Sequence, residues 1–182
     1  MTELLDRLAE DHRRLKRVMD LLEASLDRFH QGEEPDYELL TEVLQYMSDY
    51  ADQVHHPSED LLYERALQQS GQGRDVLRRL MVQHQELAQL NRRFRASLEG
   101  IVNEEVIPRD EVEQQGRELL QALTDHMALE DDQAFPILKT LFDDAVWEEL
   151  ARQAPKAGDP VFGEDNPEQF RALYNRLRAD LH

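Results

Sequence analysis

The stretch Val54-His55-His56-Pro57-Ser58-Glu59-Asp60 places two adjacent imidazoles about one helical turn before a carboxylate. His55 and Glu59 are four residues apart, so on a helix they lie on the same face. Adjacent imidazoles followed by carboxylates are more typical of metal ligands than of a solvated surface. This interpretation depends on polar residues elsewhere in the chain, namely His12, His84, His126 and Glu130.

The composition is that of a helical protein with one sizeable core. The chain has 182 residues, of which 40% are hydrophobic and 33% charged, with only 7 glycines and 7 prolines; this profile is typical of a helical chain. The formal net charge of −18 argues against a non-specific nucleic-acid binder, because such proteins need clustered lysine and arginine. The absence of cysteine excludes disulfides, thiolate catalysis and cysteine-ligated clusters.

No part of the sequence resembles a targeting signal or a membrane segment. The first residues lack the apolar core of a signal peptide, and no later hydrophobic run approaches the length of a transmembrane helix. We therefore expect a cytoplasmic protein that binds neither membranes nor nucleic acid.

Four long segments carry apolar residues at spacings of three and four, the pattern of the buried face of a bundle helix. These stripes lie within about residues 3–30, 36–69, 77–98 and 112–137. Each stripe includes polar residues where the pattern favours apolar ones, namely His12, His55, Glu59, His84, His126 and Glu130. Because four long helices with short connections favour antiparallel neighbours, we predict an all-α fold: an antiparallel up-and-down four-helix bundle with additional C-terminal helices.

Proline residues lie inside two of the predicted helices. Pro57 removes one backbone hydrogen bond and is expected to kink the second helix. A kink would let His56 point toward the same centre as His55, whereas a regular helix splays neighbours by about 100°; otherwise His56 faces solvent. Pro136 is expected to bend or end the fourth helix, and a short continuation through Leu141 is left open.

The remainder of the chain is shorter and more polar. Residues 144–153 predict a small helix, and an N-cap and first-turn proline at Asn166 and the next position predict a last helix to about Leu181. We predict that residues 1–140 form the bundle. Residues 141–182 are expected to form a helical extension packed on the same domain.

The four stripe histidines fall at nearly the same depth of the predicted bundle. With a rise of about 1.5 Å per residue, His12 and His55 lie roughly 27 and 28 Å from the first connection, and His84 and His126 roughly 28 and 26 Å from the third. The second connection gives a looser match, roughly 22 against 15 Å. Carboxylates buried in this layer without a cation would be strongly destabilising. A bound metal resolves that problem; an all-protein polar network or a metal-free structural bundle is the alternative.

Residues beside the stripes are interpreted as supporting groups. The acids next to the candidate ligands are expected to be solvated or to orient those ligands, and they are Asp60, Asp125, Asp131 and Asp132. Tyr50, Tyr63 and Phe135 are close enough in sequence to line a pocket, but ordinary core packing is the simpler role for them.

The combined pattern resembles the hemerythrin-like, or HHE cation-binding, family in a bacterial single-domain form. The resemblance covers about residues 1–140. It rests on motif residues in all four predicted helices: His12, the run His55-His56-Pro57-Ser58-Glu59-Asp60, His84, and His126 with Glu130 ahead of Phe135-Pro136. The resemblance implies a cofactor of two iron ions, that is, a non-haem diiron centre with an oxide or hydroxide bridge.

The resemblance also implies roles for the individual residues. The terminal ligands would be His12, His55, His84 and His126, and the bridging ligands Glu59 and Glu130. The third helix of the invertebrate oxygen carriers supplies two histidines one turn apart, whereas this chain has His84 alone there. His56 is therefore the candidate for the fifth nitrogen ligand. Imidazole and carboxylate ligands suit iron but also admit zinc, manganese or nickel.

The leading interpretation is a diiron protein that binds O2 or NO as a carrier, store or sensor, rather than a dedicated enzyme. A diiron enzyme acting on peroxide or NO in a stress response is the first alternative. An iron- or redox-responsive signalling module is the second. The expected partners are O2, NO or peroxide as small ligands; a homodimer and an unidentified protein partner are both left open.

Overall fold

The computed structural model describes residues 3–163 and 168–179, and these ranges contain helices but no strand. The α-helices are α1 (Glu3–His30), α2 (Tyr37–Tyr46), α3 (His56–Gln69), α4 (Arg74–Val102), α5 (Arg109–Leu129), α6 (Phe135–Leu141), α7 (Asp144–Gln153) and α8 (Arg171–Ala179). The prediction of an all-α bundle is therefore confirmed. None of the described helices is long and apolar enough to span a membrane.

Two of the long helices continue through a widened, π-helical segment. Met47–His55 joins α2 to α3, and Glu130–Ala134 joins α5 to α6. The backbone N–H of the residue after each segment donates to a carbonyl five residues earlier. A proline follows in the first turn of the next helix, where its missing N–H is tolerated.

The prolines therefore bear out part of the sequence interpretation. Pro57, where a kink was predicted, lies at the start of α3, just after the π-helical segment through which the helix runs on from α2. Pro136 does not end its helix, because α6 continues to Leu141.

Side-chain pairings show how the long helices lie against each other. Asp27 of α1 contacts Arg117 of α5, whereas His12, earlier in α1, contacts Asp131, which follows α5. The order of contacts along the two helices is thus reversed, as in antiparallel neighbours. The pairing of α4 with α5 runs in the same reversed sense, from Arg93 near Glu118 to Gln83 near His126.

Apolar side chains fill two clusters inside the described part of the bundle. Members of the first cluster include Leu22, Leu26, Phe94, Leu98 and Leu119. Members of the second cluster include Leu4, Leu8, Leu62, Leu77 and Leu138. In the first cluster α5 comes close to α1 and α4 at Gly116, where a Cβ atom would lie 2.5 Å from Cδ2 of Leu26 and 3.0 Å from Cζ of Phe94.

The C-terminal helices contribute to both clusters. Trp147 and Leu150 of α7 belong to the second cluster, and Leu173 and Leu177 of α8 belong to the first. The helix predicted at 144–153 is confirmed by α7. The N-cap pattern predicted at Asn166 lies outside the described residues. The division of the chain at residue 140 stays a prediction.

Replacing the buried Phe94 by alanine tests the importance of the first cluster. Phe94 is fully buried, so we expect Phe94→Ala to lower the free energy of unfolding by about 3–5 kcal/mol. Val82 lies on the same helix but is 57% exposed, and Val82→Ala serves as the control, with an expected change of about 0.5 kcal/mol or less. Urea unfolding followed by circular dichroism measures both. Equal effects of the two substitutions would contradict the assignment of Phe94 to the core.

Candidate metal centre

The sequence-predicted site residues lie in one polar layer between the two apolar clusters. On α1, for example, Leu8 belongs to the second cluster and Leu15 to the first, with His12 between them. On the other long helices the site residues also lie between members of the two clusters. All seven residues are buried, with at most 5% of each exposed: His12, His55, His56, Glu59, His84, His126 and Glu130. The structure therefore brings all seven to one place.

Glu59 connects two groups of side chains that have the geometry of metal ligands. The groups are His12, His55 and Glu59, and His56, Glu59, His84 and His126; within each, one ligand atom per residue lies within 4.8 Å of the others. Oε1 of Glu59 lies 3.3 Å from Nε2 of His12 and 3.0 Å from Nε2 of His55. Oε2 lies 3.3 Å from Nε2 of His84. The two oxygens of one carboxylate thus face different groups.

Glu130 lies between the same two groups. Its Oε2 atom is 3.2 Å from Nε2 of His12 and 3.3 Å from Nε2 of His126. Its Oε1 atom is 3.5 Å from Nε2 of His84. Both carboxylates are therefore placed where two cations, one in each group, would share them.

The centre of the layer contains buried ligand atoms that make no hydrogen bond within the described residues. They are Nε2 of His12, His84 and His126, both carboxylate oxygens of Glu59, and Oε2 of Glu130. Buried polar atoms in native proteins almost always have a hydrogen-bond partner, whereas these atoms have only ion-pair contacts between imidazoles and carboxylates, at 3.0 to 3.5 Å. These atoms are nitrogen and oxygen donors that converge on one space, so the donor set fits a metal site.

Four of the five imidazoles have an oxygen acceptor on the ring nitrogen that faces away from the centre. The Nδ1-to-oxygen contacts are His12 to Asp131 (2.8 Å), His55 to Asp11 (3.1 Å), His84 to Asp60 (2.7 Å) and His126 to Gln83 (3.0 Å). An acceptor at Nδ1 holds a proton there and leaves the Nε2 lone pair for a metal. Of the acids predicted to be solvated or orienting, Asp60 and Asp131 orient ligands, whereas Asp125 and Asp132 are exposed.

His56 is buried rather than solvent-facing, with 5% of the residue exposed. Its ring stacks on that of His84, with 4.2 Å between centroids and 12° between planes. The π-helical segment ends immediately before it, and such wide turns change the direction of the side chains that follow. The sequence alternative in which His56 faces solvent is therefore wrong.

Both central carboxylates are ionised. Burial raises the pKa of Glu59, but the charge of His55 and contact with the His12 imidazole outweigh burial and bring it well below the usual value. Burial and the charge of Glu59 raise the pKa of Glu130, but the charge of His126 and contact with His12 outweigh both and lower it well below the usual value. The layer therefore contains two negative charges close together.

The imidazoles balance those charges in the metal-free protein. Burial disfavours the charged form of His12, but the carboxylates around it, first Asp131, raise its pKa to about 12. The same balance, with Asp60 as the main partner, raises the pKa of His84 to about 11. Burial and the charge of His84 lower the pKa of His56 to about 4, so His56 stays neutral. A cation bound here would replace the protons on His12 and His84.

Two residues that support the site were not identified from the sequence, and two tyrosines that were expected mainly to pack in the core also support it. Asp11 and Gln83 orient imidazoles on other helices, and nothing in their local spacing indicates that role. Tyr63 donates a hydrogen bond of 2.6 Å to Oε1 of Glu130, and Tyr50 donates to both oxygens of Asp11 at 3.1 Å. Burial and the charge of Glu130 raise the pKa of Tyr63 well above its usual value, so its hydroxyl remains a donor.

The fold and the site define a class of protein: an all-α bundle with a buried histidine and glutamate cluster suited to metal ions. A protein-family model described as Hemerythrin HHE cation binding domain matches residues 3–138. The chain therefore belongs to this family and is a metal-binding, hemerythrin-like protein, as the motif residues indicated. Searches among curated proteins and among solved structures returned no significant match.

Removing the Tyr63 hydroxyl tests its role at the site. Tyr63→Phe leaves Oε1 of Glu130 without its donor, so we expect the free energy of unfolding of the metal-free protein to fall by about 1–3 kcal/mol. The control is Tyr174→Phe, because the hydroxyl of Tyr174 contacts only the exposed Arg178 among the hydrogen bonds seen; its expected effect is about 0.5 kcal/mol or less. Urea unfolding compares the two, and an unchanged stability of Tyr63→Phe would rule out this role.

Proposed function

We propose that the protein holds two iron ions in the polar layer and binds O2 or NO there as a carrier, store or sensor. The observation that carries the proposal is that two groups of buried imidazoles share Glu59, each group facing a different oxygen of its carboxylate. A single ion would use one group and leave the other unpaired. Membership of the cation-binding family supports a metal at this position.

The proposed ligands divide between the two ions according to the two groups. His12 and His55 would bind one ion, and His56, His84 and His126 the other. Glu59 and Glu130 would bridge them, because each carboxylate has an imidazole of both groups within 3.5 Å. Imidazole with carboxylate is a ligand set that iron accepts readily.

The number of donor atoms leaves room for a small ligand. Five imidazoles and two bridging carboxylates supply nine donor atoms, whereas two octahedral ions have about twelve positions. The bound ions would supply reversible coordination of a diatomic ligand and the electrons that it takes up. The ring of Phe135 stacks on His12 at 5.1 Å and the layer lies between two apolar clusters, which shield most of the site from bulk water.

The acceptors around the site would fix each imidazole before a metal arrives. Asp131, Asp60 and Asp11 each accept a hydrogen bond from Nδ1–H of a different histidine. An acceptor that is a carboxylate also raises the basicity of the opposite nitrogen. Tyr63 restrains Glu130 in the same way, through its hydrogen bond to Oε1. The ligands would therefore need little rearrangement to bind the ions.

Metal content and the visible spectrum, measured together, test the proposed function. The protein is loaded with Fe²⁺ and reduced without oxygen, and air or NO is then admitted. Two irons per chain and a visible band that appears with O2 or NO and disappears on its removal are expected. Turnover of peroxide or NO faster than by free iron would identify an enzyme instead. Absence of iron binding would remove the proposal.

Single-residue substitutions test the division of ligands between two ions. Glu59→Ala removes the shared carboxylate and is expected to abolish binding of both ions, whereas His12→Ala removes a ligand from one group and is expected to leave about one iron per chain. His84→Ala is expected to lower the iron content through the other group. His30→Ala is the control, since His30 is exposed and contacts Glu113. Two irons retained by Glu59→Ala or His84→Ala would contradict the assignment.

A further inference from the structure

A surface cleft of about 290 Å³ reaches the candidate metal centre from the side where the π-helical segment and α3 face α4. Its lining includes His56 and His84 together with polar residues closer to solvent, among them Asp52 and Asp60. Three other clefts in the described chain are lined by none of the seven site residues. The 290 Å³ cleft therefore connects solvent with two of the proposed ligands.

Two carboxylates in this cleft link solvent to the buried rings. Oδ1 of Asp60 lies 2.7 Å from Nδ1 of His84, and Oδ1 of Asp52 lies 3.3 Å from Nδ1 of His56. The side chains of Asp60 and Asp52 are 28% and 21% exposed, whereas both rings are buried. Each carboxylate thus contacts a proposed ligand while remaining accessible from outside.

His56 supplies an independent indication of a ligand. The residue is 95% buried, given its 5% exposure, and it lines the cleft. Its Nδ1 atom makes no hydrogen bond of adequate geometry within the described residues, although Asp52 is near. A nitrogen and a carboxylate oxygen 3.3 Å apart, four residues apart on a helix, are separated as two adjacent ligands of one cation would be.

We propose that this cleft is the uptake route for the metal ions and that Asp52 and Asp60 form a transient site for a divalent cation on the way to the buried centre. This inference rests on the proposed function. Two carboxylates that line the same cleft create a local negative potential, which raises the cation concentration and the association rate. Ser48 and Gln53 also line the cleft and offer oxygen atoms that replace part of the hydration shell of the ion.

Arg92 lies on the same cleft with the opposite charge. Its guanidinium repels a cation and attracts an anion. Removing this charge should therefore change the uptake rate in the opposite direction from removing a carboxylate, and the sign of each change shows whether the species that enters is a cation or an anion. If a divalent cation uses this route, Arg92→Ala speeds uptake while Asp52→Asn slows it. A small anion would show the reverse order.

The chain contains a matched control for Asp60. Asp131 also directly follows a proposed bridging glutamate, and its Oδ1 lies 2.8 Å from Nδ1 of His12. Asp131 is half exposed but does not line this cleft. Asp60→Asn and Asp131→Asn therefore remove the same kind of contact with an imidazole, and only the first also removes a charge from the cleft.

The experiment measures how fast the metal-free protein takes up Fe²⁺ without oxygen. Samples are quenched at successive times with a coloured Fe²⁺ chelator, and circular dichroism verifies that each variant is folded. We expect Asp52→Asn and Asp60→Asn to slow uptake about tenfold at low ionic strength, and Asp131→Asn to slow it much less. Raising the salt concentration should reduce the difference, because exposed charges are then screened.

A further variant tests the uptake route by narrowing the cleft while leaving the charge of the cleft unchanged. Ala88 lines the cleft on α4, and leucine there preserves helix propensity while filling space. Ala88→Leu is expected to slow uptake with an unchanged final iron content. Equal slowing by Asp60→Asn and Asp131→Asn, or normal uptake by both Asp52→Asn and Ala88→Leu, would overturn the route. If the unaltered protein takes up no iron at all, the proposed function fails instead.

Discussion

Two fully buried carboxylates, Glu59 and Glu130, create the electrostatic constraint that the rest of the structure satisfies. Their close nitrogen neighbours in the described chain are imidazoles rather than lysine or arginine side chains. A lysine or arginine would neutralise a carboxylate permanently and occupy its oxygens. An imidazole can instead give up its proton and share the carboxylate with a cation. The layer is thus balanced by protons without metal and is suited to balance by cations with it.

The π-helical segments let a helix keep its ligands on one face over a long stretch. In the second long helix the buried positions Met47, Ala51, His55 and Glu59 follow one another at intervals of four. A regular α-helix has 3.6 residues per turn, so successive intervals of four drift around its axis. A wider turn cancels that drift, and the π-helical segment covers Met47–His55. The long helix formed by α5 and α6 shows two such intervals where its own π-helical segment lies. In α1 and α4 the buried positions alternate between intervals of three and four residues, and neither helix contains a π-helical segment.

Much of the fold and of the candidate site was predictable because it depends on distance along single helices. Counting residues placed His12, His55, His84 and His126 in one layer, and all four are buried there. The contacts of Nδ1 were not predictable, because they depend on which side of each helix faces its neighbour. Asp11 shows the difficulty: it precedes His12 in sequence but accepts from His55 on another helix. Pro57 suggested that His56 could turn toward the centre, but the sequence left a solvent-facing alternative open, and the buried position of His56 after the π-helical segment excludes that alternative.

The two proposed bridging glutamates also fix which helices are neighbours. Each is followed directly by an aspartate, and adjacent residues on a helix point about 100° apart, so the glutamate faces the centre while the aspartate faces sideways. Asp60 meets His84 on α4, and Asp131 meets His12 on α1. Sliding or rotating either helix would separate the aspartate from its imidazole and the glutamate from the centre together. The packing of these helices and the orientation of the proposed ligands therefore depend on each other. The two sides also differ in access, because the cleft reaches Asp60 and its histidine but not Asp131.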